Sequence, residues 1–332
     1  MANITVLGAG AWGTAFGQVL ADAGNNVTMW AIEPEIVKAI QTEHRNPVRL
    51  PSVEKLPDTM TATGDRAEAV AHADVVVVAI AAQVARKALE EFNGLLPDEA
   101  LVVSLMKGIE KDTGKRMDQV VEEALELPAN RFLALSGPNL SKQVAAREPA
   151  AAVVGCTDID NARAFAKMCT TDYFKAFITV DVIGLELCGS LKNVVALAVG
   201  MSHGAGYGEN TAAMIETRGL TEIKEVGTEA GALPETFYGL AGVGDLIATC
   251  GSPLSRNYTF GYNLGKGMSV EDATKASNGV AEGVATASAV VALGERYRVD
   301  TPLAKAVTRV LNDGISFDQM IAEMFPKDIT VE

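Results

Sequence analysis

The stretch GSLKNVVALAVG, residues 189–200, sets Lys192 and Asn193 side by side among Leu191, Val194, Val195, Leu197 and Val199. An ammonium group in such surroundings loses hydration worth several kcal/mol unless something replaces the water. One reading is a lysine that snorkels to the helix edge and pairs there. The other is a proton carrier, with small Cys188 and Gly189 on the preceding turn leaving room for a ligand. Gly189 inside a helix costs about 1 kcal/mol relative to alanine, which points to close approach by something. Asn193, on the neighbouring face, is suited to hold a substrate hydroxyl.

Further groups of complementary type lie elsewhere. SLMKGIE puts Lys107 directly after the apolar run ALVVSL, at the carboxyl edge of a sheet, where open α/β domains bind ligands. In GLAGVGDLIATC, Asp245 and Thr249 stand one helical turn apart in apolar surroundings, and an acid there wants a cation. SPLSRN presents Ser255, Arg256 and Asn257 at a helix start, either as an anion site or as a capping serine followed by solvated side chains.

ITVLGAGAWGTAF carries Gly8, Gly10 and Gly13 as G-x-G-x-x-G between a strand and a helix. Gly8 permits a tight turn, Gly10 lets a pyrophosphate approach the backbone, and Gly13 lets the helix pack against the sheet. The helix N-terminus then offers free N–H groups to phosphate. Glu33 follows the second strand, twenty positions after Gly13. It is placed either to accept from a ribose hydroxyl or to start a helix beside Pro34. A nicotinamide cofactor transfers hydride, so the protein must polarise a carbonyl and handle a proton, and Lys192 suits that task.

These residues need elements to hold them. Up to about residue 180, the runs NITVL, VTMWA, DVVVVAI, ALVVSL, RFLAL, AAAVV and KAFITV alternate with helical patterns, which predicts an α/β domain with a parallel sheet and crossover helices. The three prolines of HRNPVRLPSVEKLPD exclude a regular helix and predict a surface excursion able to border a site. From residue 181, helix follows helix. At 332 residues the chain exceeds one usual core, so two domains are expected: 1–180, dinucleotide-binding, and 181–332, helical and substrate-binding.

Composition excludes several classes of function. With 42 acidic against 28 basic residues, the net charge of −14 repels nucleic acid and requires a local basic pocket for any anionic ligand. The opening MANITVLGAG runs directly into a strand without a leader-like segment, and the apolar runs VVVVAIAA and VVALAVG fall short of the about 18 residues a membrane span needs. A cytoplasmic protein without a membrane span is expected. Cys156, Cys169, Cys188 and Cys250 form no C-x-x-C pair and read as buried thiols. His44, His72 and His203 are scattered and offer no zinc ligand set, so no metal is expected.

GAGAWGTAF, SLMKGIE, SGPN, GSLKNVVALAVG, AGVGDLIATC and SRN, in this order through nearly the whole chain, resemble the bacterial NAD(P)-dependent sn-glycerol-3-phosphate dehydrogenases. The resemblance implies a Rossmann-type, mostly parallel sheet domain followed by an all-α domain. It also implies NAD or NADP as cofactor, interconversion of glycerol 3-phosphate with dihydroxyacetone phosphate, and supply of glycerol 3-phosphate for phospholipid synthesis. By the same resemblance, Lys192 matches the proton acceptor and Lys107 a lysine near both substrate and cofactor. Gly137, Asn193, Asp245, Thr249, Ser255, Arg256 and Asn257 match substrate-pocket residues, with Asp245 a partner of Lys192. Ala11, Trp12, Ser141 and Glu282 match cofactor contacts, and Arg256 also lies near the cofactor. The implied mechanism has Lys192 donate a proton to the developing alkoxide, while Lys107 stabilises the oxyanion and lowers the Lys192 pKa.

The chain departs from the family pattern in places. Ala11 stands where Ser is common, Ile32 and Glu33 where an Arg or His often follows the second strand, and Asn139-Leu140-Ser141 where Ser or Thr then Phe-Ala is usual. The second departure removes the usual clamp for a 2′-phosphate and predicts that NAD(H) is well tolerated. Two other classes fit parts of the pattern. A β-hydroxyacid dehydrogenase shares the Lys-Asn helix, but Arg256-Asn257 with Lys107 favours phosphate over a bare carboxylate. A dinucleotide-sensing regulator has no need for Lys192, Lys107 and Asp245 together. An apolar helical domain also supports a homodimer as an expectation.

Overall fold

Short apolar runs, rich in valine at the centre of the sheet and buried there on both faces, form most strands of the first half of the chain, as in parallel sheets covered by helices. The computed structural model describes residues 1–277 and 281–324. Eight strands are formed: β1 Asn3–Leu7, β2 Asn26–Trp30, β3 Met60–Thr63, β4 Val75–Val78, β5 Leu101–Ser104, β6 Phe132–Ser136, β7 Ala150–Gly155 and β8 Phe174–Thr179. Their order across the sheet is β3-β2-β1-β4-β5-β6-β7-β8. Leu7 is level with Trp30 on one side and Val78 on the other, so the chain's direction of winding reverses beside β1. Ligands of open α/β sheets bind outside the carboxyl ends of the strands at such a reversal.

Two features of the sheet depart from the alternation read in the sequence. β6 and β7 pair antiparallel, Ala134 with Gly155 and Ser136 with Val153. The connection between them contains only the short helix Ser141–Ala145, too little to carry the chain back across the sheet face. β3, with the sequence MTAT, is a short edge strand without the apolar run that marks its neighbours. Phe16, Phe165 and Phe174 fill the centre of this core, with ring centroids 6.3 and 5.9 Å from Phe16.

The chain forms two compact units, Met1–Glu110 with Lys115–Glu186, and Lys111–Gly114 with Leu187–Glu332. The described part of the second unit contains helices and turns and no strand. Its apolar runs join into the helix Val182–Gly204, long and apolar enough to cross a membrane by length and composition, which the separate runs are not. Its apolar window is 94% buried, as in the core helix of a folded protein. Glycines let a second helix, Arg256–Gly265, cross it closely. A Cβ on Gly200 or Gly204 would enter the backbone at Tyr258 or Tyr262, and one on Gly261 or Gly265 would enter the backbone at Leu197 or Met201. This crossing sets the start of Arg256–Gly265 against the helix that carries Lys192. Helices Val270–Ala276 and Phe317–Met324, too short for a strong periodic signal, were not legible beforehand.

All four cysteines are buried and none forms a disulfide.

Candidate active site

In the first unit the glycine loop turns sharply after β1. Gly8 has φ +111°, and a Cβ there would meet the Ala79 carbonyl oxygen at 2.7 Å, just beyond β4. A Cβ on Gly13 would enter the Gly8 carbonyl oxygen, whereas the Gly10 position has open space around it. The helix Ala11–Asp22 starts next, with no side-chain cap and no acid in its first turn. The first N–H groups at Ala11, Trp12 and Gly13 lack intrahelical acceptors by helix geometry. A strained turn, an open Gly10 and an uncapped N-terminus together fit a dinucleotide pyrophosphate. The Trp12 ring packs 5.5 Å from Phe16 and against Leu50 and Ala145, so Trp12 also ties the loop to its surroundings.

The proline-containing excursion does border this loop, through a residue that sequence reasoning missed. Asn46 is buried, and its Nδ2 donates to the Ala9 carbonyl and the Thr14 hydroxyl, each at 2.9 Å. Its Oδ1 accepts from Arg49 N at 3.1 Å. A lone asparagine between loop residues carries no periodic or motif signal. Arg49 then reaches back to Glu33, Nη2 to Oε1 at 3.1 Å. Glu33 itself precedes the helix Pro34–Glu43 as its cap residue, which is the helix-start placement, and makes no side-chain cap bond.

At the carboxyl ends of β5 and β6, Lys107 Nζ donates to the Gly137 carbonyl at 3.1 Å. Gly137 has φ +149°, and a Cβ there would press on Ala151 and Ala152 backbone at 3.0 Å. Ser141 opens the five-residue helix after that turn and is half-buried.

In the second unit the structure supplies the cation that Asp245 wants. Lys192 Nζ donates to Thr249 Oγ1 at 2.6 Å and to Asn193 Oδ1 at 3.3 Å, and lies 3.3 Å from Asp245 Oδ1. Thr249 donates to Asp245 Oδ1 at 3.2 Å. The Lys192 and Asp245 side chains are 6% and 4% exposed, so the pair is closed off from water without a ligand. Lys192 is therefore not a snorkelling lysine. A π-helical turn, Leu240–Gly244, precedes Asp245 and aims the following helix Asp245–Cys250. Burial pushes the neighbouring Cys250 thiol above its ordinary range, with Glu216 and Asp245 adding to the shift and Lys192 opposing it. That thiol is no nucleophile.

Ser255 caps the helix Arg256–Gly265 by accepting from Tyr258 N at 3.2 Å, so the capping reading holds for it. Arg256 is exposed. Asn257 is buried and accepts from Gly283 N at 2.9 Å, which commits its Oδ1 and leaves its NH₂ as a donor. A Cβ on Gly283 would approach the Asn193 carbonyl at 2.7 Å and Asn257 Oδ1 at 3.0 Å, so the start of helix Glu282–Tyr297 is seated on both asparagines. Lys192, Asn193, Asp245, Thr249, Asn257 and the helix start at Glu282 thus form one group in the second unit. Gly8 to Gly13, Glu33, Lys107, Gly137 and Ser141 all lie near strand carboxyl ends in the first.

Comparison with known proteins agrees over the whole chain. Residues 3–162 match the family model for the NAD-dependent glycerol-3-phosphate dehydrogenase N-terminus, and residues 181–322 the model for its C-terminus. A glycerol-3-phosphate dehydrogenase [NAD(P)+] of Bifidobacterium longum subsp. infantis is 72% identical over 330 residues, covering 99% of each chain. One from Corynebacterium kroppenstedtii is 48% identical over the full length of both chains. The crystal structure of glycerol-3-phosphate dehydrogenase from Coxiella burnetii superposes with a TM-score of 0.92 at 31% identity, covering 98% of this chain and 99% of that one. The chain belongs to the NAD-dependent glycerol-3-phosphate dehydrogenase family.

Proposed function

We infer that this chain interconverts sn-glycerol 3-phosphate and dihydroxyacetone phosphate with NAD(P)(H), and so supplies glycerol 3-phosphate for phospholipid synthesis. The observation that carries the site reading is the buried contact of Lys192 Nζ with Thr249 at 2.6 Å and Asp245 at 3.3 Å. A bound nicotinamide supplies or accepts the hydride. Lys192 Nζ donates a proton to the carbonyl oxygen of dihydroxyacetone phosphate as it becomes an alkoxide, and takes it back in the oxidising direction. Asp245 holds the ammonium in the water-poor core, and Thr249 aims it by accepting from Nζ while donating to Asp245. Asn193, its Oδ1 turned to Lys192, presents its NH₂ to a substrate hydroxyl.

Gly8, Gly10 and Gly13, with the N–H groups of Ala11 and Trp12, form the proposed pyrophosphate cradle, and Glu33 beside Arg49 the proposed ribose end. Ser141 and Glu282 are proposed cofactor contacts. Lys107 and Gly137 are proposed at the reacting end of the substrate, where Lys107 adds positive charge for the oxyanion. Arg256 and the Asn257 NH₂ are proposed for the phosphate, at a helix N-terminus that Ser255 orders. The four thiols, none in a disulfide, suit a reducing cytoplasm. A homodimer through the helical unit is proposed from its exposed Leu233, Tyr238, Ile247 and Leu254, and light scattering of the purified chain tests it. The activity itself is tested with dihydroxyacetone phosphate and NADH or NADPH, followed by nicotinamide absorbance. Oxidation of neither cofactor overturns the assignment.

A further inference from the structure

Glu186 takes no part in the chemistry above, yet it is buried on the helix that carries Lys192. Its Oε2 accepts from the backbone N of Asp118 at 3.1 Å, in the first turn of helix Met117–Leu125, and lies 3.8 Å from Arg116 Nε. Arg116 Nη2 bonds Asp118 Oδ2 at 2.7 Å, while Asp118 Oδ1 accepts from Gln119 N at 2.8 Å. The Glu186 side chain is 4% exposed, and its second oxygen, Oε1, has no hydrogen-bond partner among the described residues. All of these residues lie in the first compact unit, and the helix passes into the second directly after Glu186.

We propose that Glu186 is a positioning residue for Lys192: seated on the mostly buried Arg116–Asp118 corner, its carboxyl group fixes the first turns of the helix that presents the lysine about two turns later. This rests on the reading of Lys192 as the proton carrier. One guanidinium facing two carboxylates would leave the corner net negative in a water-poor place. Burial and the Asp118 charge hold Glu186 well above the ordinary carboxylate range, with Arg116 opposing. Arg116 and Asp118 are the charged groups that face it, and Glu122, on the same helix as Asp118, is itself raised by burial and by Asp118. Burial and Asp118 thus favour the protonated form of Glu186, in which a carboxyl oxygen still accepts from the Asp118 N–H. Its folded pKa lies above the unfolded value, so its support for the fold is complete below pH about 4.5 and is lost as pH rises through the folded value.

Glu186→Gln, Glu186→Asp and Glu186→Leu separate the roles. Glutamine keeps the neutral shape and the acceptor, so kcat with dihydroxyacetone phosphate and NADH stays within about twofold of the parent. Aspartate is too short to reach and leucine cannot accept, so both lower kcat roughly 10–100-fold, as a misplaced catalytic group does. Affinity for NADH, followed by nicotinamide fluorescence, stays level in all three. Between acid and alkaline pH, the glutamine variant loses less Tm than the parent. An unchanged kcat in the aspartate variant, or a loss with glutamine as large as with aspartate, overturns the proposal, and both remain readable if the leucine variant does not fold. Lys192→Ala is assayed alongside. Normal turnover in that variant would reject the proton-carrier reading, while a collapse there with unaffected Glu186→Asp would reject the positioning alone.

Discussion

Between β1 and the helix Ala11–Asp22, the proposed working groups are backbone N–H donors within a few consecutive residues, where glycines leave side chains out. Around Lys192, the proposed working groups are side chains, and the contact that closes the centre joins residues 57 positions apart. The glycine loop leaves open space at Gly10, while the Lys192 pair is shut off from water. A backbone cradle costs little to keep in the apo protein, because uncapped helix N–H groups stay solvated until phosphate arrives. A buried charge must carry its own counter-charge at all times, because leaving either partner alone costs about 3–5 kcal/mol. On the proposed roles, the same molecule would use shape to recognise a constant cofactor group and paired charge to move a proton.

The contrast is broken most severely at Lys192. Lys192→Ala should reduce turnover by about 10²–10⁴-fold, the usual cost of losing a positioned proton donor. NADH binding, followed by fluorescence, should stay nearly level because the glycine loop is made of other atoms. Asp245, left buried without its cation, should also lower Tm in the same protein, and Lys192→Ala with Asp245→Asn should recover part of that loss. Near-normal turnover would return Lys192 to a packing role.

Arg256→Ala comes next, because Arg256 is exposed and its proposed partner is the substrate phosphate. The expected loss in kcat/KM for dihydroxyacetone phosphate is about 2 kcal/mol, the low end for a truncated charge pair. Dihydroxyacetone, with the same carbonyl and no dianion, should be affected little, and Arg256→Lys should recover only part because it lacks the planar fork. Equal losses for both substrates would place Arg256 at the reacting centre or the cofactor instead.

Gly13→Ala probes the other side of the contrast. Its new Cβ enters the Gly8 carbonyl, so the loop must shift, and NADH affinity should weaken roughly tenfold, about 1.4 kcal/mol. If the loop is a backbone cradle, saturating NADH should restore most of kcat, since the Lys192 centre is untouched. A kcat that stays low at saturation would show that the two regions are not separable in this way.

The smallest effect belongs to Arg49→Ala. Its ion pair with Glu33 is half-exposed and contributes at most about 1 kcal/mol. If Glu33 is the ribose end, removing the arginine frees the carboxylate for a ribose hydroxyl and removes a cation beside that end. The ratio of kcat/KM for NADH over NADPH should rise severalfold. A ratio that falls would mean that Arg49 serves the unphosphorylated ribose.

The strands other than β3, the long helices and the glycine loop are legible in the sequence because their signals are local. A buried parallel strand needs a short apolar run, as VVVV shows, and a phosphate-binding turn needs glycines at fixed offsets, as Gly8, Gly10 and Gly13 show. Asp245 and Thr249 were likewise readable as a pair, since helical spacing alone brings them together. The identity of the cation beside them was not contained in that spacing. It required the crossing of helices through Gly200, Gly204, Gly261 and Gly265, and the seating of Gly283 on Asn193 and Asn257. Asn46 and Arg49 sit in an irregular loop, where neither periodicity nor motif marks a residue, and Arg49 reaches Glu33 from there. The antiparallel turn of β7 and the Arg116–Asp118–Glu186 corner were decided by chain return and burial. Sequence by itself determined which residues can do chemistry and which local backbone they occupy, because those depend on neighbours within a turn or a strand. Only the tertiary structure decided which charges are buried together, because desolvation and pairing are set by groups far apart along the chain.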